Sequence, residues 1–207
     1  MLEVVVIEYG IGNVQSVVNA VRRLGHNVSI ARSGEDILSR QADRIILPGV
    51  GAVGEALANI RAREIEDALE VLVIRKGMPF LGICVGMQVL AETCEEFGNH
   101  RGFGWIGGVV RRLAPIGSGL RLPHVGWNTV RMKAEDALLR DVNGSLFYFV
   151  HSYALQCPDE YVIGTTDYGG AFVSAIRHDN ICAVQFHPEK SSRAGAALLR
   201  GFLDRGQ

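Results

Sequence analysis

Pro79-Phe80-Leu81-Gly82-Ile83-Cys84-Val85-Gly86-Met87-Gln88 runs from a short apolar stretch through two glycines into a helix-like segment. A continuous apolar run of this length, with no polar alternation, is the pattern of a strand covered on both faces, and such strands belong to parallel sheets. The glycines permit a sharp turn and a close backbone approach, so the sequence presents the Cys84 thiol on a strand-to-helix elbow. The positive end of the helix that follows favours thiolate over thiol, and the thiolate is the nucleophilic form.

The elements on the N-terminal side repeat the same unit. Leu2 to Ile7 reads as a strand and is followed by the turn Gly10-Ile11-Gly12-Asn13. A helix comes next, with apolar Val14, Val17, Val18, Val21 and Leu24 at helical spacing. Gly25 ends it, Val28 to Ile30 and Arg44 to Leu47 read as further strands, and helical stretches span roughly Gly54 to Ile60 and Glu64 to Lys76. Alternating strand and helix implies a buried parallel sheet.

From Trp105 the texture changes to short β-like runs. These are Ile106 to Leu113, Leu120 to His124, Thr129 to Met132, Leu146 to Val150, Tyr161 to Thr166, Phe172 to Ile176 and Ile181 to Phe186. A last helix, capped by Ser191 or Ser192, carries Ala196, Leu199, Phe202 and Leu203. The fold expected is α/β: one domain over residues 1–207, a doubly wound, mostly parallel sheet extended by antiparallel strands, with active residues at strand C-terminal ends.

Composition narrows the function. A net charge of −1 with scattered basic residues offers no footprint for nucleic acid. No stretch approaches the ~18 apolar residues of a membrane span, and Met1-Leu2-Glu3-Val4 lacks the features of a signal peptide, so a cytoplasmic protein with no membrane partner is expected. Cys84, Cys94, Cys157 and Cys182 form no C-x-x-C pair, and neither a metal site nor a disulfide framework is expected. Cys94 and Cys182 read as core fillers.

Two further segments carry chemistry. Gln185-Phe186-His187-Pro188-Glu189 leaves an apolar strand with an imidazole and a carboxylate two positions apart, and proline is expected to hold the chain extended so that Glu189 orients the His187 ring. Cys84, His187 and Glu189 then supply nucleophile, base and orienting acid. In Pro48-Gly49-Val50-Gly51 the flanking glycines let a peptide rotate, so the Val50 N–H, beside that of Val85, can face a developing oxyanion. Gly10-Ile11-Gly12-Asn13 lacks the third glycine and the acidic residue of a dinucleotide fingerprint.

Together these segments resemble the class I glutamine amidotransferases, which use a Cys-His-Glu triad. The resemblance goes beyond the class: the chain looks like the glutaminase subunits that serve histidine biosynthesis. It is carried by Tyr9-Gly10-Ile11-Gly12-Asn13, Pro48 to Ala52, Gly82 to Gln88, Pro123-His124-Val125-Gly126-Trp127-Asn128, Tyr148 to Tyr153 and His187 to Ser191. Glu8, Val53 and Phe103 depart from the usual family residues and touch none of the triad.

The resemblance implies a flavodoxin-like fold and hydrolysis of L-glutamine to glutamate and ammonia through a cysteinyl thioester, with no metal or organic cofactor. It also implies that Gly49, Gly51, Gln88, Glu96, His151, Ser152 and Tyr153 bind the substrate. Asn13, Trp127, Tyr148 and Lys190 would form a docking face for a (β/α)8-barrel cyclase in a 1:1 heterodimer that receives the ammonia. Two alternatives stand beside it. One is an amidotransferase subunit feeding a surface-sugar synthase, and the other a stand-alone γ-glutamyl or thiol hydrolase active without any partner.

Overall fold

The computed structural model describes residues 1–115 and 119–205. Strand β1 (Glu3–Ile7), helix α1 (Val14–Arg23), β2 (Asn27–Ala31), α2 (Gly34–Leu38) and β3 (Arg44–Gly49) open the chain. They lead through α3 (Val53–Ala62), α4 (Ile65–Leu69) and a π-helical turn, Glu70–Arg75, to β4 (Phe80–Cys84) and α5 (Val85–Gln88). Short strands follow: β5 (Ala91–Cys94), β6 (His100–Arg101), β7 (Ile106–Arg112), β8 (His124–Thr129), β9 (Arg131–Met132), β10 (Leu146–His151) and β11 (Tyr153–Gln156). Strands β12 (Val162–Asp167), β13 (Ala171–His178) and β14 (Ile181–Val184) precede the terminal helix α6 (Ser192–Arg205).

The main sheet has eight strands in the order β2-β1-β3-β4-β14-β13-β12-β9. The first five are mutually parallel, and the last four pair antiparallel. This is the doubly wound sheet with an antiparallel extension that the sequence predicts. Strand β1 is buried from Val4 to Ile7, and α1 lays Val14, Val17, Val18 and Val21 onto the sheet. Each of these valines contributes ~1.5–3 kcal/mol by leaving water.

Register decides where the chemistry falls. Gly49, the last residue of β3, lies opposite Cys84, and Val184 lies opposite Ile83. The residues that follow β1, β3, β4 and β14 therefore emerge together at one edge, outside the carboxyl ends of the strands.

Several elements differ from the sequence reading. Leu120 to His124 is not a strand: β8 begins only at His124, because Pro123 has no N–H for a ladder. Thr129 to Met132 is divided at the buried Val130, which turns the chain from β8 into β9 of another sheet. Strands β5, β6 and β11 were not anticipated, and with β7 they form a four-stranded sheet, β11-β7-β5-β6. Strands β8 and β10 pair on their own as a two-stranded ribbon.

Candidate active site

Cys84 adopts φ 56° and ψ −109°, left-handed backbone for a residue with a side chain. Such a conformation costs ~1–3 kcal/mol and persists only where the surroundings impose it. The surroundings are the two glycines. A Cβ on Gly86 would lie 1.9 Å from the Leu47 carbonyl oxygen, and one on Gly82 would lie 2.4 Å from that of Gly86. Both positions must be glycine for the elbow to press against β3. The helix beyond, α5, is only one turn long, so its dipole acts on the sulfur far less than the full helix expected from the sequence.

His187 follows β14 and is 1% exposed. Its Nδ1 lies 2.8 Å from Glu189 Oε1, a geometry in which the ring N–H donates to the carboxylate. The contact does not arise from an extended chain, as the sequence suggested. Pro188–Lys190 is a 3-10 turn, closed by Lys190 N donating to His187 O at 3.1 Å, and it folds Glu189 back beneath the ring. Nε2 is buried and without a hydrogen-bond partner among the described residues, and the Cys84 sulfur is its electrostatic neighbour. Burial lowers the pKa of the ring, but Cys84 and Glu189 outweigh it and push His187 up to about 10.

A cleft beside the sulfur is lined by Gly51, Cys84, Val85, Gln88, Glu96, Val150, His151, Ser152 and Tyr153. The structure thus brings together most residues singled out for substrate. Gly49 is not in the lining. A Cβ there would lie 2.3 Å from the Tyr9 hydroxyl and 2.8 Å from Val85 Cβ, so glycine lets the loop pass between them. Val50 follows β3 at the same edge, where a Cβ on Gly12 would lie 3.9 Å from its backbone nitrogen.

Some of these residues have structural work as well. Glu96 Oε2 accepts from Val53 N at 2.8 Å and caps α3, whose own N-cap side chain makes no hydrogen bond. Gln88 is 3% exposed, and its amide nitrogen donates to Tyr153 O at 3.0 Å and to Gln185 Oε1 at 3.1 Å. Asn13 caps α1 by accepting from Ser16 N at 3.3 Å. Cys94 and Cys182 are core residues whose thiols are each pushed up to about 12, chiefly by burial.

Trp127, Tyr148 and Lys190 also meet. The two rings lie 6.1 Å apart at 71°, a cross-strand pair of the β8–β10 ribbon, and Lys190 Nζ sits 5.7 Å from the Tyr148 ring centroid. Tyr148 O accepts from His187 N at 2.9 Å, so this cluster borders the dyad directly.

Sequence reasoning missed Gln185, His124 and the Tyr9 hydroxyl. Gln185 is 0% exposed and its Nε2 lies 3.6 Å from Cys84 Sγ. The available sign was an amide within the otherwise apolar run Ile181 to Phe186. The Tyr9 hydroxyl is buried with no hydrogen-bond partner among the described residues. Among the described residues no group of three or more His, Cys, Asp or Glu is placed to hold a metal ion.

A strained cysteine elbow, a buried His–Glu dyad at the neighbouring strand end and a polar cleft beside the sulfur lie together at one edge of a flavodoxin-like sheet. The chain belongs to the class I glutamine amidotransferases, whose family profile matches residues 5–205. At closer range it is 42% identical over 204 residues to "Imidazole glycerol phosphate synthase subunit HisH 2" of Vibrio vulnificus, covering 98% of this chain and 94% of that one. It is also 42% identical over 203 residues to "Imidazole glycerol phosphate synthase hisHF, chloroplastic" of Arabidopsis thaliana, covering 97% of this chain and 34% of that one. The solved "Structure of PurLQS from Thermotoga maritima" shares the fold, with a TM-score of 0.75 at 16% identity and 100% of both chains covered.

Proposed function

We propose that this chain is the glutaminase subunit of an imidazole glycerol phosphate synthase, hydrolysing L-glutamine at Cys84 and passing ammonia to a cyclase partner in histidine biosynthesis. The observation that carries the reading is the His187–Glu189 dyad, 2.8 Å across, set with its free Nε2 toward the Cys84 elbow.

In the first step the Cys84 thiol passes its proton to His187 Nε2 and the sulfur attacks the side-chain amide carbon of glutamine. The N–H groups of Val50 and Val85 receive the negative charge that gathers on the amide oxygen. As the C–N bond breaks, His187 gives its Nε2 proton to the leaving nitrogen, and ammonia departs. The neutral ring then takes a proton from water, hydroxide adds to the thioester carbon, and the C–S bond breaks to release glutamate. Glu189 holds the Nδ1 proton throughout, so Nε2 is the nitrogen that exchanges. Gln88, Glu96 and the His151–Tyr153 segment hold the amino-acid end of glutamine, with Gly49 and Gly51 shaping the loop opposite. The chemistry needs no metal or organic cofactor.

The partner surface is the outer face of the β8–β10 ribbon with Lys190 beside it, and Asn13 at the start of α1 is assigned to the same face. Strand alternation turns His124, Phe147, Phe149 and His151 inward and leaves Val125, Trp127 and Leu146 at 55%, 51% and 53% exposed. An uncovered apolar face next to a catalytic site suits a partner that must receive a small product without losing it to water. The Arabidopsis relative, in which the matched region is about a third of a longer hisHF chain, supports a 1:1 arrangement with a (β/α)8-barrel cyclase. No helix of the described residues is long and apolar enough to cross a membrane, and a cytoplasmic location fits a biosynthetic enzyme.

Ammonia transfer separates this reading from a stand-alone hydrolase. Glutamate release should be slow for the chain alone and rise when a barrel cyclase and its substrate are added, since the Gly49-Val50 peptide would rotate its N–H into place on activation. Full activity of the isolated chain would favour the hydrolase.

A further inference from the structure

The Tyr153 carbonyl fixes the polarity of the pair of buried amides that reaches the nucleophile, because a carbonyl oxygen only accepts. It accepts from Gln88 Nε2 at 3.0 Å and lies 2.9 Å from His151 Nδ1. Gln88 therefore turns its NH2 group inward. The same nitrogen lies 3.1 Å from Gln185, which must answer with its oxygen. The Gln185 NH2 is thereby directed at Cys84 Sγ, 3.6 Å away. Reversing Gln88 would set its oxygen against the Tyr153 carbonyl, and reversing Gln185 would set two NH2 groups face to face, where Gln88 and Gln185 are 3% and 0% exposed, leaving buried groups unpaired either way.

The second arm obeys the same rule. Facing a carbonyl, His151 Nδ1 must carry its proton, so Nε2 of the neutral ring accepts from His124 Nδ1 at 3.1 Å. His124 Nε2 is then left to accept from Asn128 Nδ2 at 3.3 Å. Asn128 is pinned in turn, donating to Asp167 O at 2.8 Å and accepting from Thr129 N at 2.7 Å. Donor meets acceptor at each link from the underside of the ribbon to the sulfur. Burial keeps both rings neutral by lowering each pKa to about 4.

We infer that Gln185 is a positioning residue for the nucleophile: its buried amide, oriented through Gln88 by the Tyr153 carbonyl, holds Cys84 Sγ as a hydrogen-bond acceptor. One side of the sulfur is thus occupied by a donor that cannot rotate away. A donor in that position stabilises the thiolate and fixes the Cys84 rotamer, while His187 keeps the proton-transfer role. The inference rests on Cys84 being the nucleophile.

Gln185→Met preserves length and removes the donor, and Gln185→Glu replaces it with an acceptor. The reporter is alkylation of Cys84 by iodoacetamide, located by mass spectrometry, across a range of pH on protein shown to be folded by circular dichroism. Gln185→Met should slow alkylation near neutral pH about tenfold or more, the scale of one hydrogen bond to a charged group, and move its pH profile upward. Gln185→Glu should go further in the same direction. Glutaminase kcat should fall in parallel with KM nearly unchanged, a split that a general loss of structure would not give. Gln88→Met, one bond further from the sulfur, should give a smaller shift of the same sign, which keeps the test available if residue 185 tolerates no change. Unchanged alkylation profiles in the folded variants would overturn the role of Gln185 and leave the nucleophile intact. A wild-type Cys84 that resists alkylation would overturn both.

Discussion

A buried imidazole ordinarily gives up its proton, and His124 and His151 do so here, whereas His187 holds its own up to about 10. The difference lies in neighbours. Burial acts on all three rings, but only His187 has a carboxylate at 2.8 Å and a cysteine sulfur beside it. The assigned roles follow from that contrast, and so does the order of severity of mutations. His187→Ala should lower glutaminase kcat by roughly 10²–10⁴-fold, the usual worth of a positioned acid–base group. Glu189→Gln, which loses the orienting charge and keeps the ring, should lose less. Steady-state kinetics of both folded variants check this, and a larger loss in Glu189→Gln would reverse the roles. At this scale the placement of Cys84, His187 and Glu189 was legible, because each lies in a short motif at the end of an apolar run. Gln185 and His124 were not legible, because their roles come from partners 101 and 27 residues away along the chain.

Elements show the same division. The parallel β-α half could be read from apolar runs and glycine turns, since each unit buries a continuous hydrophobic face. Strands β5, β6 and β11 were missed because two to four residues give too short a stretch for period-two alternation to register. The β8–β10 ribbon carries the proposed docking face. Trp127→Ala removes the large exposed anchor of its outer face and should weaken binding of the cyclase partner tenfold or more, while leaving the melting temperature almost unchanged. Titration calorimetry with unaltered affinity, together with unaltered coupling of glutamine use to ammonia incorporation, would remove this face from the interface. Elsewhere Arg177 on β13 makes a two-pronged ion pair with Asp136, which also accepts from Leu138 N at 2.8 Å. Asp136→Ala leaves the half-buried guanidinium unpaired and should destabilise the fold by about 3 kcal/mol, read from urea denaturation.

For the whole molecule, the two neutral histidines make stability depend on acid. Their folded pKa values of about 4 lie below the ordinary 6.5. As pH falls below 6.5 the unfolded chain takes up protons that these two rings refuse in the folded chain, so stability declines between pH 6.5 and 5; above 6.5 His187, held up to about 10, acts the other way and its contribution is lost as pH rises. The slope between pH 6.5 and 5 should approach two protons, up to about 2.7 kcal/mol per pH unit, and His124→Gln should remove close to half of it. A flat profile in that window would mean that the rings titrate freely. The larger claim is that a single sulfur performs the chemistry that a sheet edge, a dyad and a polar cleft are arranged to support. Its most direct test is glutamate release from L-glutamine by the chain in complex with a (β/α)8-barrel cyclase, comparing wild type with Cys84→Ala. The account predicts turnover for the wild type and none for a folded, partner-binding Cys84→Ala protein; undiminished glutamate release from that variant would contradict it.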